Sequence, residues 1–125
     1  MKLDHIGVII KHRRQVEGLQ GLLGLKETGR GPVEKYQAEC IMLEGHGFRI
    51  ECILSDFGPL AGYNQGRGGI HHLAVELDPG ERLPEGTPLL EPAPVEGICG
   101  MNVNFIPPIL AGFPIELVTR EPTGG

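Results

Sequence analysis

The chain has 125 residues, 40% of them apolar and 22% charged, which suits one domain with a modest hydrophobic core. A net charge of −5 with no Lys/Arg cluster beyond the pair Arg13-Arg14 gives no positive field for a nucleic-acid backbone. No stretch approaches the roughly 20 apolar residues of a membrane span, and residues 1–11 carry no signal-peptide pattern, so a cytoplasmic protein without membrane or nucleic-acid partners is expected. The odd set Cys40, Cys52 and Cys99 lacks metal-ligand pair spacing and fits reduced, packed thiols.

Residues 3–10 read as a strand with Ile6, Val8 and Ile10 on one face and His5 and Gly7 on the other. Val16, Leu19, Leu22 and Leu23 follow at helical spacing, although Gly18 and Gly21 each weaken that helix by about 1 kcal/mol relative to Ala. Strands are expected at 24–30 and 36–43, then a tight turn at 44–47, then the strand that carries Glu51. This first module, 1–54, reads β-α-β-β-β. A linker at 55–69 ends in Gly66-Arg67-Gly68-Gly69, a flexible joint by composition. The second module, 70–120, should hold strands at 70–77, 88–91, 101–106 and 113–119. Between the first two, residues 78–87 contain Pro79, Gly80, Pro84 and Gly86, too many breakers for a helix, so a loop is expected there. The tail, 121–125, should fray.

The two modules carry a weak internal repeat. Leu3-Asp4-His5-Ile6-Gly7-Val8 resembles Ile70-His71-His72-Leu73-Ala74-Val75, and Gly47-Phe48-Arg49-Ile50-Glu51-Cys52 resembles Gly112-Phe113-Pro114-Ile115-Glu116-Leu117. His5 and Glu51 are 46 positions apart, and His72 and Glu116 are 44 apart. Alternation puts all four opposite the apolar stripes, so two curved sheets closing about a pseudo-twofold axis would bring them together. The expected architecture is therefore α+β, a single domain over 1–125 in which two β-α-β-β-β modules, the second with a reduced helix, form a cup-shaped sheet. Two imidazoles and two carboxylates then make a site for one divalent ion. A single such His or Glu reads as an ordinary strand residue; the repeated phase makes the four a candidate site.

These four residues, with Gly69-Ile70-His71-His72-Leu73-Ala74, Gly58-Pro59-Leu60-Ala61 and Val103-Asn104-Phe105-Ile106, resemble the vicinal oxygen chelate superfamily, and within it the methylmalonyl-CoA epimerases, over nearly the whole chain. The resemblance implies that His5, Glu51, His72 and Glu116 are the metal ligands, with cobalt, nickel, manganese, magnesium and zinc all open as the ion, and that His71 is the non-ligand member of the double histidine.

An ion held by two carboxylates and two histidines is close to neutral and suits Lewis-acid work, binding substrate oxygens and stabilising an enolate. A two-His, one-carboxylate iron dioxygenase is disfavoured by the second carboxylate, Glu51. The function implied is a metal-dependent isomerase that removes a proton next to the carbonyl of a small acyl thioester, with an acyl-CoA as partner. Two alternatives are a glyoxalase-I-like lyase acting on a thiohemiacetal and a non-catalytic resistance-type binding protein. Four Phe, two Tyr and no Trp give the last little support. Whether two chains pair as a homodimer is left open.

Inverting a carbon calls for acid/base groups on two faces. By the resemblance Glu116 is both ligand and base, and Glu39 matches a glutamate that acts as second base in some epimerases. A three-residue loop Glu44-Gly45-His46 pairing Leu43 with Gly47 would put Glu39 across from Glu51 and inside the cup. Asn104, 12 positions before Glu116 as Glu39 is before Glu51, is the pseudo-symmetric candidate for a substrate hydrogen bond. Arg49 alternates with Glu51 toward the cup and is a candidate anchor for a substrate carboxylate or phosphate. Glu76 is expected at the rim, and Cys40 and Cys52 on the helix-covered face.

Overall fold

The computed structural model describes residues 1–120; the expected fraying of 121–125 lies outside the described residues. In chain order the elements are β1 (Lys2–Ile9), α1 (Arg13–Leu23), β2 (Lys26–Val33), β3 (Ala38–Gly45), β4 (Phe48–Leu54), β5 (Gly69–Glu76), β6 (Val95–Glu96), β7 (Met101–Ile106) and β8 (Ile115–Arg120). Short 3-10 turns cover Glu34–Tyr36 and Tyr63–Gly66. All eight strands form one curved sheet in the order β2-β3-β4-β1-β5-β8-β7-β6. The pairs β1/β4 and β5/β8 are parallel, and the halves meet where β1 and β5 run antiparallel. Read outward from that central pair, the two halves have the same order, which is the repeat made structural.

Helix α1 forms despite its two glycines because both face solvent while Val16 is buried, and burying one such side chain is worth roughly 1.5–3 kcal/mol. Leu19 and Leu23 pack with Val16 over Ile10, Leu25, Ile41, Leu43 and Cys52; Leu22 points outward instead. The helix starts at His12, where the Gln15 side-chain oxygen accepts the backbone N–H groups of Lys11 and His12, and it ends at Gly24, whose φ of +66° supplies the left-handed cap.

The second half has no such helix. The loop expected at 78–87 is a loop, but no strand forms at 88–91; the strand that pairs with β7 is Val95–Glu96. Residues 88–91 are held to β7 differently. Leu90 N–H donates to the Phe105 carbonyl, and the Asn104 amide, facing outward with Leu117, clamps the Glu91 backbone in both directions at 3.0 Å. A polar clamp here does what apolar helix packing does in the first half.

Inside the cup, Ile9, Ile53, Cys40, Met42, Met101, Val103 and Val118 make the core. The ends of the sheet approach across it, and glycines on β2 permit this: a Cβ at Gly29 would lie 2.5 Å from Cys99 Sγ, and one at Gly31 would lie 3.2 Å from Ile98. The glycine run before β5 is packed rather than an open joint. Gly68 has φ +73°, and a Cβ there would meet the Ile9 carbonyl oxygen at 2.4 Å. Among the described residues, no helix is long and apolar enough to cross a membrane.

Candidate metal centre

Four buried side chains from the four central strands meet in the cup: His5 on β1, Glu51 on β4, His72 on β5 and Glu116 on β8, with ligand atoms all within 4.8 Å of one another. His5 Nε2 lies 2.9 Å from Glu116 Oε1, 3.7 Å from Glu51 Oε1 and 3.4 Å from His72 Nε2; His72 Nε2 lies 3.5 Å from Glu116 and 3.9 Å from Glu51. Metal bonds of about 2.0–2.2 Å place neighbouring donors about 3 Å apart, so this set fits a divalent ion, and its charge neutralises one. Glu116 Oε1 is buried and has no well-formed hydrogen bond even with His5 Nε2 beside it. Such an oxygen is suited to a cation.

The histidines are oriented from behind. His5 Nδ1–H donates to Asp4 Oδ2 at 2.7 Å, and the other Asp4 oxygen accepts from Arg49 at 3.1 Å and Arg120 at 2.8 Å. His72 Nδ1 is 2.9 Å from His71 Nδ1, and one of the two donates. Both arrangements aim Nε2 at the cluster and leave it free to bind. Gly7 makes room for this: a Cβ there would lie 2.1–2.5 Å from the His72 ring.

Burial works against a charged His5, yet the hydrogen bond to Asp4 and the Glu116 carboxylate beside it raise it to about 9. Burial and the Glu116 charge push Glu51 up, whereas Glu116 is held low against its burial by both histidines. Asp4 is likewise held below the usual carboxylate range, burial being outweighed by His5 and Arg120. His71 is lowered to about 4 by burial and by His72, and so is neutral.

Asp4 escapes a reading by alternation, which assigns it to the helix side with Ile6. A β-bulge corrects that. Leu3 pairs with Val75 and His5 with Ala74, so Asp4 is an extra residue and turns inward beside His5.

Two candidate residues are elsewhere. The β3–β4 hairpin closes with a two-residue turn, His46 and Gly47 at φ +54° and +82°, not with a three-residue loop. Met42 therefore faces Glu51, and Glu39 pairs with Leu54 on the outer face, where Arg13 of α1 holds it at 2.6 Å. This removes Glu39 as a base in the cup. The same turn carries Cys40 into the cup interior, while Cys52 lies under the helix as expected; burial raises both thiols. Asn104 fails for the matching reason: Phe105, not Asn104, is opposite Glu116, so the Asn104 side chain is outside and committed to Glu91. Arg49 shares the Glu51 side, and Asp4 and Glu44 take up its charge. Glu76 is at the rim, paired with Arg120 at 2.9 Å.

The cluster sits between two openings at opposite ends of the strands. One, of 460 Å³, is charged and lined by Lys2, Glu44, Arg49, Glu76 and Arg120; the other, of 160 Å³, is apolar and lined by Tyr36, Leu60, His71, Leu90 and Phe105.

A single curved sheet of two matching four-stranded halves around a His/Glu cluster is the vicinal oxygen chelate fold, and the chain has it. No protein-family model and no curated protein matches the sequence. Among solved structures, a hypothetical protein from Bacillus halodurans is 30% identical, with a TM-score of 0.82 over 99% of this chain and 97% of that one; the two belong to one family. Methylmalonyl-CoA epimerase from Mycobacterium tuberculosis is 22% identical, with a TM-score of 0.79 over 97% and 89% of the two chains. A Streptomyces coelicolor methylmalonyl-CoA epimerase variant in complex with 2-nitronate-propionyl-CoA is 20% identical, with a TM-score of 0.80 over 100% and 98%. Both epimerases share the fold.

Proposed function

We propose that this chain is a metal-dependent isomerase that moves the proton next to the carbonyl of an acyl-CoA thioester. The observation that carries the reading is the four-donor cluster with both histidines anchored through Nδ1, in a fold whose epimerase neighbours include one in complex with methylmalonyl-CoA. A divalent ion held by His5, Glu51, His72 and Glu116 would supply Lewis-acid polarisation of the substrate carbonyl. Glu116 takes the α-proton: its buried oxygen lies against both histidines and has no competing hydrogen bond. With Glu39 outside, the second proton-handling group is Glu51. It comes from β4 as Glu116 comes from β8, strands related by the pseudo-twofold axis, so the two carboxylates approach a substrate from opposite sides.

The outward position of Glu39 also keeps a one-base reaction in play, that of a glyoxalase-like lyase acting on a thiohemiacetal. Incubating cobalt-loaded protein with methylmalonyl-CoA and other 2-alkyl acyl-CoA esters in deuterated water, then with methylglyoxal and glutathione, separates the two. Deuterium entering the α-carbon of a thioester supports the isomerase. Turnover of the hemithioacetal alone supports the lyase, and neither result rejects both.

A further inference from the structure

We infer that the α-carbon of the substrate carries an apolar branch, which the 160 Å³ cavity beside His72 receives; this rests on the isomerase reading above. The cavity is lined by Tyr36, Leu60, His71, Leu90, Phe105 and proline rings, and among the described residues no Lys, Arg, Asp or Glu side chain lines it. It is one side chain away from the cluster. Phe105 stacks edge-on against His72 with ring centroids 5.2 Å apart, and His71 hydrogen-bonds the His72 ring. Tyr36 in turn stacks edge-on against Phe105 at 5.7 Å, so the wall is continuous from His72 to the cavity.

Behind that wall Lys35 and Glu91 are paired with each other at 3.5 Å. A carboxylate placed here would lose water and gain no cation, whereas an alkyl group loses nothing. The charged groups are at the opposite opening, where Lys2, Arg49 and Arg120 line the vestibule together with Glu44 and Glu76. The site thus sorts a substrate by polarity, apolar at the β7–β8 turn and charged at the far end. At roughly 30 Å³ per heavy atom, 160 Å³ holds a branch of about five atoms, more than a methyl group fills.

The test is calorimetric titration of the cobalt-loaded protein with a series of acyl-CoA esters whose α-branch grows from methyl to butyl, with methylmalonyl-CoA alongside. Affinity should rise about 4-fold for each added methylene, the worth of about 0.8 kcal/mol per buried CH₂, and methylmalonyl-CoA should bind more weakly than the butyl-branched ester. Leu90→Trp fills the cavity from an exposed position and should flatten the gradient. Leu60→Phe serves the same purpose if Leu90→Trp does not fold. A flat series in the wild-type chain, preference for methylmalonyl-CoA, or a gradient that survives in a folded cavity-filled variant overturns the inference. Deuterium exchange separates this result from the parent reading: a gradient without α-exchange rejects only the isomerase, and α-exchange without a gradient rejects only the branch pocket.

Discussion

Asp4 and His71 are structural counterparts: each is the extra residue of a β-bulge, each precedes a cluster histidine, and each meets that histidine at Nδ1, at 2.7 and 2.9 Å. The chemistry of the two differs. Asp4 is an anion locked by Arg49 and Arg120, so it raises the basicity of His5, whereas the partner that orients His72 is the neutral His71.

Asp4→Asn keeps an acceptor for His5 but removes the charge. Metal affinity should fall about 10- to 100-fold, the usual cost of losing a partner behind a ligand, with His71→Ala costing less. Competitive titration against a chromophoric chelator reads both; equal losses for the two variants would show that charge on Asp4 is irrelevant.

Gly7→Ala places a methyl group where the His72 ring lies. The strand should still form, since alanine is acceptable there, but His72 must turn away. Metal affinity should drop at least 10-fold while the far-UV circular dichroism is kept. Unaltered binding would mean that His72 is not held against Gly7.

Protonation sets a pH dependence of definite sign. His5, raised to about 9, contributes stability to the metal-free protein that is full below its unfolded value near 6.5 and lost as pH climbs through 9; Glu51, also raised, works in the same direction. Metal-free protein should therefore weaken in urea between pH 7 and 9.5. A metal ion displaces those same protons, so its affinity should rise over that range and its binding at pH 7 should release protons. Calorimetry in buffers of different ionisation heat measures the release; zero protons would contradict the assignment.

Tyr36 buries a hydroxyl that makes no well-formed hydrogen bond among the described residues, and burial, with the Glu91 charge nearby, lifts that phenol to about 12. Removing an unpaired buried donor costs nothing, so Tyr36→Phe should be neutral or stabilising by up to about 1 kcal/mol in urea denaturation. A loss above that would reveal a partner.

Glu39→Gln should leave α-proton exchange within about twofold of wild type and weaken only the surface contacts with Arg13 and Arg30, worth about 0–1 kcal/mol. A collapse of exchange would return Glu39 to the chemistry.

What could be read from the chain follows from where alternation holds. His5, Glu51, His72 and Glu116 are visible in the sequence because alternation holds from each of them onward along its strand and the repeat fixes their phase twice. Asp4 is hidden because a bulge breaks alternation at that residue. Glu39 and Asn104 are misplaced by one shared cause: the faces of β3 and β7 depend on the hairpin register, and an odd change in pairing turns every side chain over. Strand β6 is only two residues long in a Gly- and Pro-rich stretch, too short for any periodicity.

The central claim is that one divalent ion binds per chain through His5, Glu51, His72 and Glu116. Cobalt titration followed by visible absorption and by elemental analysis of the dialysed protein tests it most directly, on the wild type, His72→Ala and Glu116→Gln. The account predicts one ion per wild-type chain, with affinity reduced by two or more orders of magnitude in both folded variants. Unchanged stoichiometry and affinity in His72→Ala would contradict it.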